Sequence, residues 1–345
     1  SLLSSSHKIY AINIDDLRDN PFDIPSEFES IVYIKTGNVI CTGTLINHRT
    51  ILTAAHCLND SDKAKIFLGD NIDENTSFKE TTSFITYPEN KRYITFTGAS
   101  YDLALISLKD PLTEIPAINI SGIIPNINDE IFLSGFGLYG TGSNPDQGFD
   151  GKKRWGTNTI STISDEDLIN GVSDLNNSAD KEIYVIDFDM NKSPLESMIS
   201  LGDSGSPLLI KENNRYFLIG VASWIKKGLD QNRGYGSSAG FVSLEQNSLW
   251  INDNNPLRYI SSISDGNWSQ NSNWNEVTYP SNQSPERLNY NTESAKYYSV
   301  SLINSINLKT DIEIDSLDVM SAGHLELEPN SSLTVLLNSN IYEGS

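Results

Sequence analysis

From Ser30 to Leu133 the apolar residues fall in short runs divided by turn-forming clusters: Ile31 to Ile34, Val39 to Ile40, Leu45 to Ile46, Ile66 to Leu68, Phe84 to Thr86, Leu103 to Leu108 and Ile131 to Leu133. Runs of that length at that spacing suit an antiparallel barrel rather than βαβ units. A chain of 345 residues is long for one compact core, and its 38% hydrophobic content is enough to bury one. Two domains are expected.

Gly202-Asp203-Ser204-Gly205-Ser206-Pro207-Leu208-Leu209 combines a nucleophile with the backbone donors a nucleophile needs. A serine hydroxyl reacts only when a base takes its proton and fixed N–H groups receive the charge formed on the attacked carbonyl. Small residues around Ser204 let the chain turn sharply, so the N–H groups of Gly202 and Ser204 can face one oxyanion. Taken alone, the octapeptide also reads as a Gly-Ser turn entering an apolar strand. Two other stretches supply partners: Thr53-Ala54-Ala55-His56-Cys57 and Tyr101-Asp102-Leu103-Ala104-Leu105-Ile106.

A lone His or Asp in such a place is more often structural. Here His56, Asp102 and Ser204 occur in that order, together with Cys41-Thr42-Gly43-Thr44-Leu45-Ile46, and in these stretches the chain resembles the chymotrypsin-like (trypsin-fold) serine endopeptidases. The resemblance implies an all-β fold of two six-stranded antiparallel barrels with a C-terminal helix over residues 1–262. It implies His56 as base, Asp102 as its orienter, Ser204 as nucleophile, and an oxyanion hole from Gly202 and Ser204. Neither a metal nor an organic cofactor is expected.

Cys41 and Cys57 are the only cysteines. On their own they read as a bonded pair or as two buried thiols. The resemblance implies a disulfide that pins the histidine loop, worth about 3 kcal/mol for a loop of this size, and an oxidising compartment. Asn-x-Ser/Thr triplets such as Asn59-Asp60-Ser61 and Asn267-Trp268-Ser269 are expected by chance in a chain this rich in Asn and Ser.

Residues Ser1 to Glu29 read as an irregular leading segment. Animal members of the resembled family begin, after cleavage, with Ile-Val-Gly-Gly, whose amino group pairs with the Asp before the catalytic Ser. That residue is Asp203 here, and no such sequence lies upstream, so Asp203 needs another partner or the mature N-terminus reaches it differently. Gly69 to Glu80 reads as an acidic solvated loop, with calcium as the alternative. Gly135-Phe136-Gly137-Leu138-Tyr139-Gly140 matches G-x-G-x-x-G, but Thr141-Gly142-Ser143-Asn144-Pro145 cannot open the helix a dinucleotide site requires. The glycine-rich run up to Lys153 and the stretch Ser164 to Asp180 read as surface insertions.

The resemblance places Met198 at the floor of the specificity pocket, Ser223-Trp224-Ile225 along its wall and Phe241 behind it. Without an acid at the floor, and with Ile225 where the family has glycine, the expected P1 residue is small or apolar. Leu244 to Leu257 resembles the closing helix.

Composition changes after about Ser262, and residues 263–345 are expected to form a β-rich domain. Gly266, Trp268, Asn273, Trp274 and Pro280 resemble the motif that opens the passenger β-helix of bacterial autotransporters. The runs Tyr298 to Leu302, Ile312 to Ile314, Leu317 to Val319, Leu325 to Leu327 and Leu333 to Leu336 suit its first rungs. A small β-sandwich is the alternative.

The formal net charge of −21 disfavours nucleic acid and anionic membranes as partners. No run approaches the roughly 20 apolar residues that cross a bilayer. The reading is a monomeric serine endopeptidase acting on protein or peptide, secreted or on the cell surface, via the periplasm if bacterial. The alternatives are an adhesin with an inert protease fold and a protease that processes only itself.

Overall fold

The computed structural model describes residues 12–18, 20–58, 63–87, 101–164, 183–190, 192–281 and 296–342. The chain divides into two compact units at Asn254/Asn255. Residues 59–61, with the first glycosylation triplet, and most of the stretch expected as an insertion after Ser164 lie outside the described residues.

The first unit runs β1 (Ile12–Ile14), β2 (Ile31–Thr36), β3 (Val39–Asn47), β4 (Thr50–Thr53), β5 (Lys65–Phe67), β6 (Phe78–Lys79), β7 (Thr81–Tyr87) and β8 (Leu103–Leu108). It continues with β9 (Glu130–Gly135), β10 (Tyr139–Thr141), β11 (Arg154–Ser164), β12 (Ile183–Asp187), β13 (Ser197–Met198), β14 (Pro207–Glu212), β15 (Arg215–Lys226), β16 (Ser238–Ser243) and the single α-helix among the described residues, α1 (Ser248–Asn254).

The expected all-β architecture of two barrels is present. β11-β12-β16-β15-β14-β9 closes into a six-stranded barrel, and β6-β5-β2-β3-β4-β8-β7 forms a nearly closed sheet of seven strands because the two-residue β6 extends it. Strand alternation explains the closure. Inward positions such as Ile34, Leu45, Ile51, Ile66, Leu105, Ile131, Leu133, Ile186, Leu208 and Ile219 are at most 1% exposed.

Several boundaries differ from the sequence reading. Val39 to Ile40 and Leu45 to Ile46 belong to one strand, since Cys41, Thr42 and Thr44 pair in register with β2 between them. The leading segment is not wholly irregular: β1 pairs parallel with β10 and antiparallel with β13, and Ile12 and Ile14 are fully buried. The glycine-rich run does not end on the surface, because Lys153 and Arg154 are both 0% exposed. The helix covers seven residues, and Leu257 opens the next strand instead of ending the helix.

The second unit contains β17 (Leu257–Ser261), β18 (Gly266–Asn267), β19 (Tyr297–Leu302), β20 (Ser305–Leu308), β21 (Ile312–Val319), β22 (His324–Leu327) and β23 (Leu333–Ile341). Its strands form two parallel sheets, β17-β19-β21-β23 and β18-β20-β22. The motif residues knot together at its start. Trp268 Nε1 donates to Pro280 O at 2.6 Å, Trp274 Nε1 to Trp268 O at 2.7 Å and Asn273 Nδ2 to Asn267 O at 2.9 Å. Gly266, at φ +150°, leaves room for the Asn273 side chain.

Candidate active site

β4 ends at Thr53, and Ala54 leads into a single 3-10 turn, Ala55–Cys57, that holds His56 half-buried between two buried neighbours. A disulfide joins Cys57 to Cys41 on β3, Cα to Cα 6.0 Å. It fastens the histidine turn to the sheet.

Asp102 sits one residue before β8 and is 1% exposed. Its Oδ2 lies 2.6 Å from His56 Nδ1 and its Oδ1 accepts the His56 backbone N–H at 3.1 Å. Ser223 Oγ on β15 donates to Oδ2 at 2.7 Å. Because a carboxylate accepts, Nδ1 carries the ring proton and Nε2 is left as the acceptor. Burial pulls the His56 pKa down, but the charge and hydrogen bond of Asp102 outweigh it, and the pKa stands above its ordinary value.

Ser204 is half-buried at the tip of a turn fixed by its backbone. Its carbonyl accepts Thr42 N–H at 2.9 Å, and Gly205 N–H donates to Ala222 O at 2.9 Å, next to Ser223. Thr42 Oγ1 donates to Gly202 O at 3.2 Å. Gly202 and Gly205 adopt φ +95° and +81°, a region side chains rarely enter. A Cβ on Gly205 would also stand 2.9 Å from Ala54 N, so the serine loop rests on the start of the histidine turn. Among the described residues the Gly202 and Ser204 N–H groups donate to no protein acceptor.

Asp203 points away from this cleft and is fully buried. Its Oδ1 accepts Gly137 N–H and its Oδ2 accepts Ser200 N–H, each at 2.8 Å. No Lys, Arg or His among the described residues is ion-paired with it. Burial raises its pKa to about 7 against the lowering pull of those two amides. Gly135 and Gly137 line the carboxylate so closely that a Cβ on either would collide with it. The glycines of the G-x-G-x-x-G match thus house an acid.

Met198 and Phe241 are fully buried in one apolar cluster, with Ile225 packed half-buried against it. Trp224 is 8% exposed and its indole occupies the space over Gly240. The sequence reading treated Ser223 only as pocket wall and Thr42 only as motif. The bond to Asp102 and the two grips on the serine loop give them positioning roles, and the Ser beside the wall Trp was the unused signal for the first.

No group of three or more His, Cys, Asp or Glu suited to a metal occurs among the described residues. The acidic loop is not merely solvated: Asp70 Oδ1 lies 2.9 Å from the buried Lys153 Nζ, which also donates to Phe28 O at 2.8 Å. Burial lowers the Lys153 pKa despite Asp70.

The family described as Trypsin matches residues 23–246, well over half of the chain. The chain belongs to the trypsin family. It is a serine endopeptidase by that membership. It is similar to Serine protease SSP1 of Scolopendra subspinipes, 28% identical over 229 residues that span 62% of this chain and 72% of the relative. Among solved structures it is similar to neuropsin, a serine protease expressed in the limbic system of mouse brain. The TM-score is 0.51 at 18% identity, over 68% of this chain and 97% of that one. At that identity the likeness speaks to the trypsin fold alone.

Proposed function

We propose that this trypsin-family chain cleaves peptide bonds through an acyl-enzyme on Ser204. The 2.6 Å contact of His56 Nδ1 with the buried Asp102 carboxylate carries the reading, because it leaves Nε2 ready to accept a proton. Ser204 Oγ attacks the carbonyl carbon as His56 Nε2 takes its proton. The C–N bond then breaks as His56 returns the proton to the leaving amine. Water repeats the sequence on the acyl-enzyme and frees the acid. The N–H groups of Gly202 and Ser204 receive the oxyanion, and Asp102 with Ser223 positions the imidazole.

The P1 residue is small or apolar in this reading, supported by the apolar side chains of Met198, Ile225 and Phe241. Peptides with P1 Arg turning over faster than those with Ala, Val, Leu or Met would overturn it. The protein acts outside the cytosol, supported by the Cys41–Cys57 disulfide. Residues 263–345 begin a passenger β-helix, supported by the parallel ladders of the second unit.

Labelling by a fluorophosphonate together with casein hydrolysis tests the enzyme reading. Wild type should show both, and Ser204→Ala should show neither while staying folded. Labelling without turnover would favour self-processing, and the absence of both in wild type would leave an inert adhesin.

A further inference from the structure

The nucleophile loop and the wall of the specificity pocket come from segments set well apart in the chain. Residues 199–203 join β13, which ends at Met198, to Ser204, and residues 227–237 join β15, which carries Ser223 to Ile225, to β16, which carries Phe241. No covalent bond ties the two segments, because the only two cysteines are joined at the histidine turn. Asp146 ties them instead. Its Oδ1 accepts the Ser200 hydroxyl, and its Oδ2 accepts Arg233 Nη1–H at 2.6 Å. Ser200 is 1% exposed, and its own N–H donates to Asp203 Oδ2. A continuous line of bonds therefore runs from Arg233 through Asp146 and Ser200 to the residue before Ser204.

The local chain is shaped to put a carboxylate at this point. Asp146 takes φ +55°, in the left-handed region that Asp tolerates better than most side chains. Its backbone N–H donates to Asn13 Oδ1 at 3.2 Å, while Asn13 Nδ2 donates to Arg233 O at 3.0 Å. Asn13 is 0% exposed, so one buried amide holds both members of the ion pair by their main chains. A Cβ on Gly140 would stand 2.5 Å from Asn13 Oδ1 and 2.6 Å from Asp146 N, so the last glycine of the G-x-G-x-x-G match admits this junction. Tyr235 N–H donates to Gly142 O at 3.1 Å and ties the same two loops again. The Asp146 and Arg233 side chains are 19% and 21% exposed, so salt screens the pair less than it would a surface pair.

We propose that Asp146 is a positioning residue for the reaction, a carboxylate that clamps the nucleophile loop to the pocket wall so that the Gly202 N–H and the wall strand keep their places together. The inference rests on the acyl-enzyme reading of Ser204. Gly202 has no side chain to hold it, and an oxyanion donor works only while its direction is fixed beforehand. Its flanks fix it: Thr42 grips the Gly202 carbonyl, and Asp146 grips Ser200 two residues upstream. The two arms of the carboxylate have different duties. The Ser200 arm governs the donor and so the chemical step, whereas the Arg233 arm governs the wall and so the hold on the substrate chain.

Steady-state kinetics of the full chain on a peptide anilide with P1 Leu reads that division. Ser200→Ala should lower kcat about tenfold with KM unchanged, Arg233→Gln should raise KM with the smaller effect on kcat, and Asp146→Ala should do both. Adding Ser200→Ala to Asp146→Ala should cost nothing further, because the bond is already gone. Glu114→Gln, which removes an exposed ion pair with Lys79, should change neither constant. Amide hydrogen exchange reads the clamp without turnover: Asp146→Ala should speed exchange in residues 199–203 and 227–237 together. If Asp146→Ala fails to fold, Ser200→Ala, which removes a single oxygen, and Arg233→Gln carry the test. An unchanged kcat in Ser200→Ala, fully additive losses in the double variant, or faster exchange in one segment alone would each overturn the proposal. A wild type that neither turns over nor labels, yet shows the coupled exchange, would overturn the acyl-enzyme reading and uphold the clamp.

Discussion

Asp102 accepts three donors, two from His56 and one from Ser223, and so is fixed as the carboxylate that orients the imidazole. Asp102→Asn should cut kcat about 10⁴-fold at neutral pH by permitting the wrong tautomer. Ser223→Ala removes one donor and should cost about tenfold, read in kcat with KM unchanged. Because Asp102 raises the His56 pKa, the acid limb of the kcat/KM profile should have its midpoint above the ordinary histidine value, and Asp102→Asn should move it down. Asp203 behaves oppositely to a salt-bridged acid. Its folded pKa, about 7, lies above its unfolded value, so its contribution to stability falls as pH rises from about 4 to 7 and then stays level. The stability of wild type relative to Asp203→Asn should follow that slope, measured by urea denaturation at several pH values. The pairing of His56 with Asp102 was legible in the sequence through the neighbours of each. What houses Asp203 was not, since the two glycines that admit it lie 66 and 68 residues away and look like a nucleotide loop.

At the scale of elements, the short apolar runs up to Leu133 marked β2, β3, β5, β7, β8 and β9, because alternation writes the buried face into the sequence. They missed β1, whose leading polar residues hide two fully buried isoleucines, and β4, whose TILT is too short to show a period. Strand joins failed where Thr, Cys and Gly carry a ladder that apolar counting cannot see, as in β3. The glycine at 137 is fixed by contact with Asp203, so Gly137→Ala should destabilise by about 2–3 kcal/mol, seen as a lowered thermal midpoint. Removing the Cys41–Cys57 bond with paired serines should cost about 3 kcal/mol and loosen the turn that holds His56. Activity should therefore melt at lower temperature than the fold.

For the whole molecule, the −21 charge sets the field that an approaching substrate meets. Cationic peptides of equal P1 residue should show higher kcat/KM than anionic ones, with the gap narrowing as salt is added. Equal rates at low salt would show that the field does not reach the cleft. The second unit gave fewer clues in its sequence than the first, because its parallel ladders depend on pairings between runs whose spacing varies. Its opening knot has an optical consequence. Two of the five tryptophans of the chain, Trp268 and Trp274, lie edge to face with centroids 5.0 Å apart, each indole N–H capped by a carbonyl and neither more than 2% exposed. Such a pair is an exciton-coupled chromophore screened from collisional quenchers, so its circular-dichroism couplet gives the second unit a melting signal separate from the hydrolytic readout.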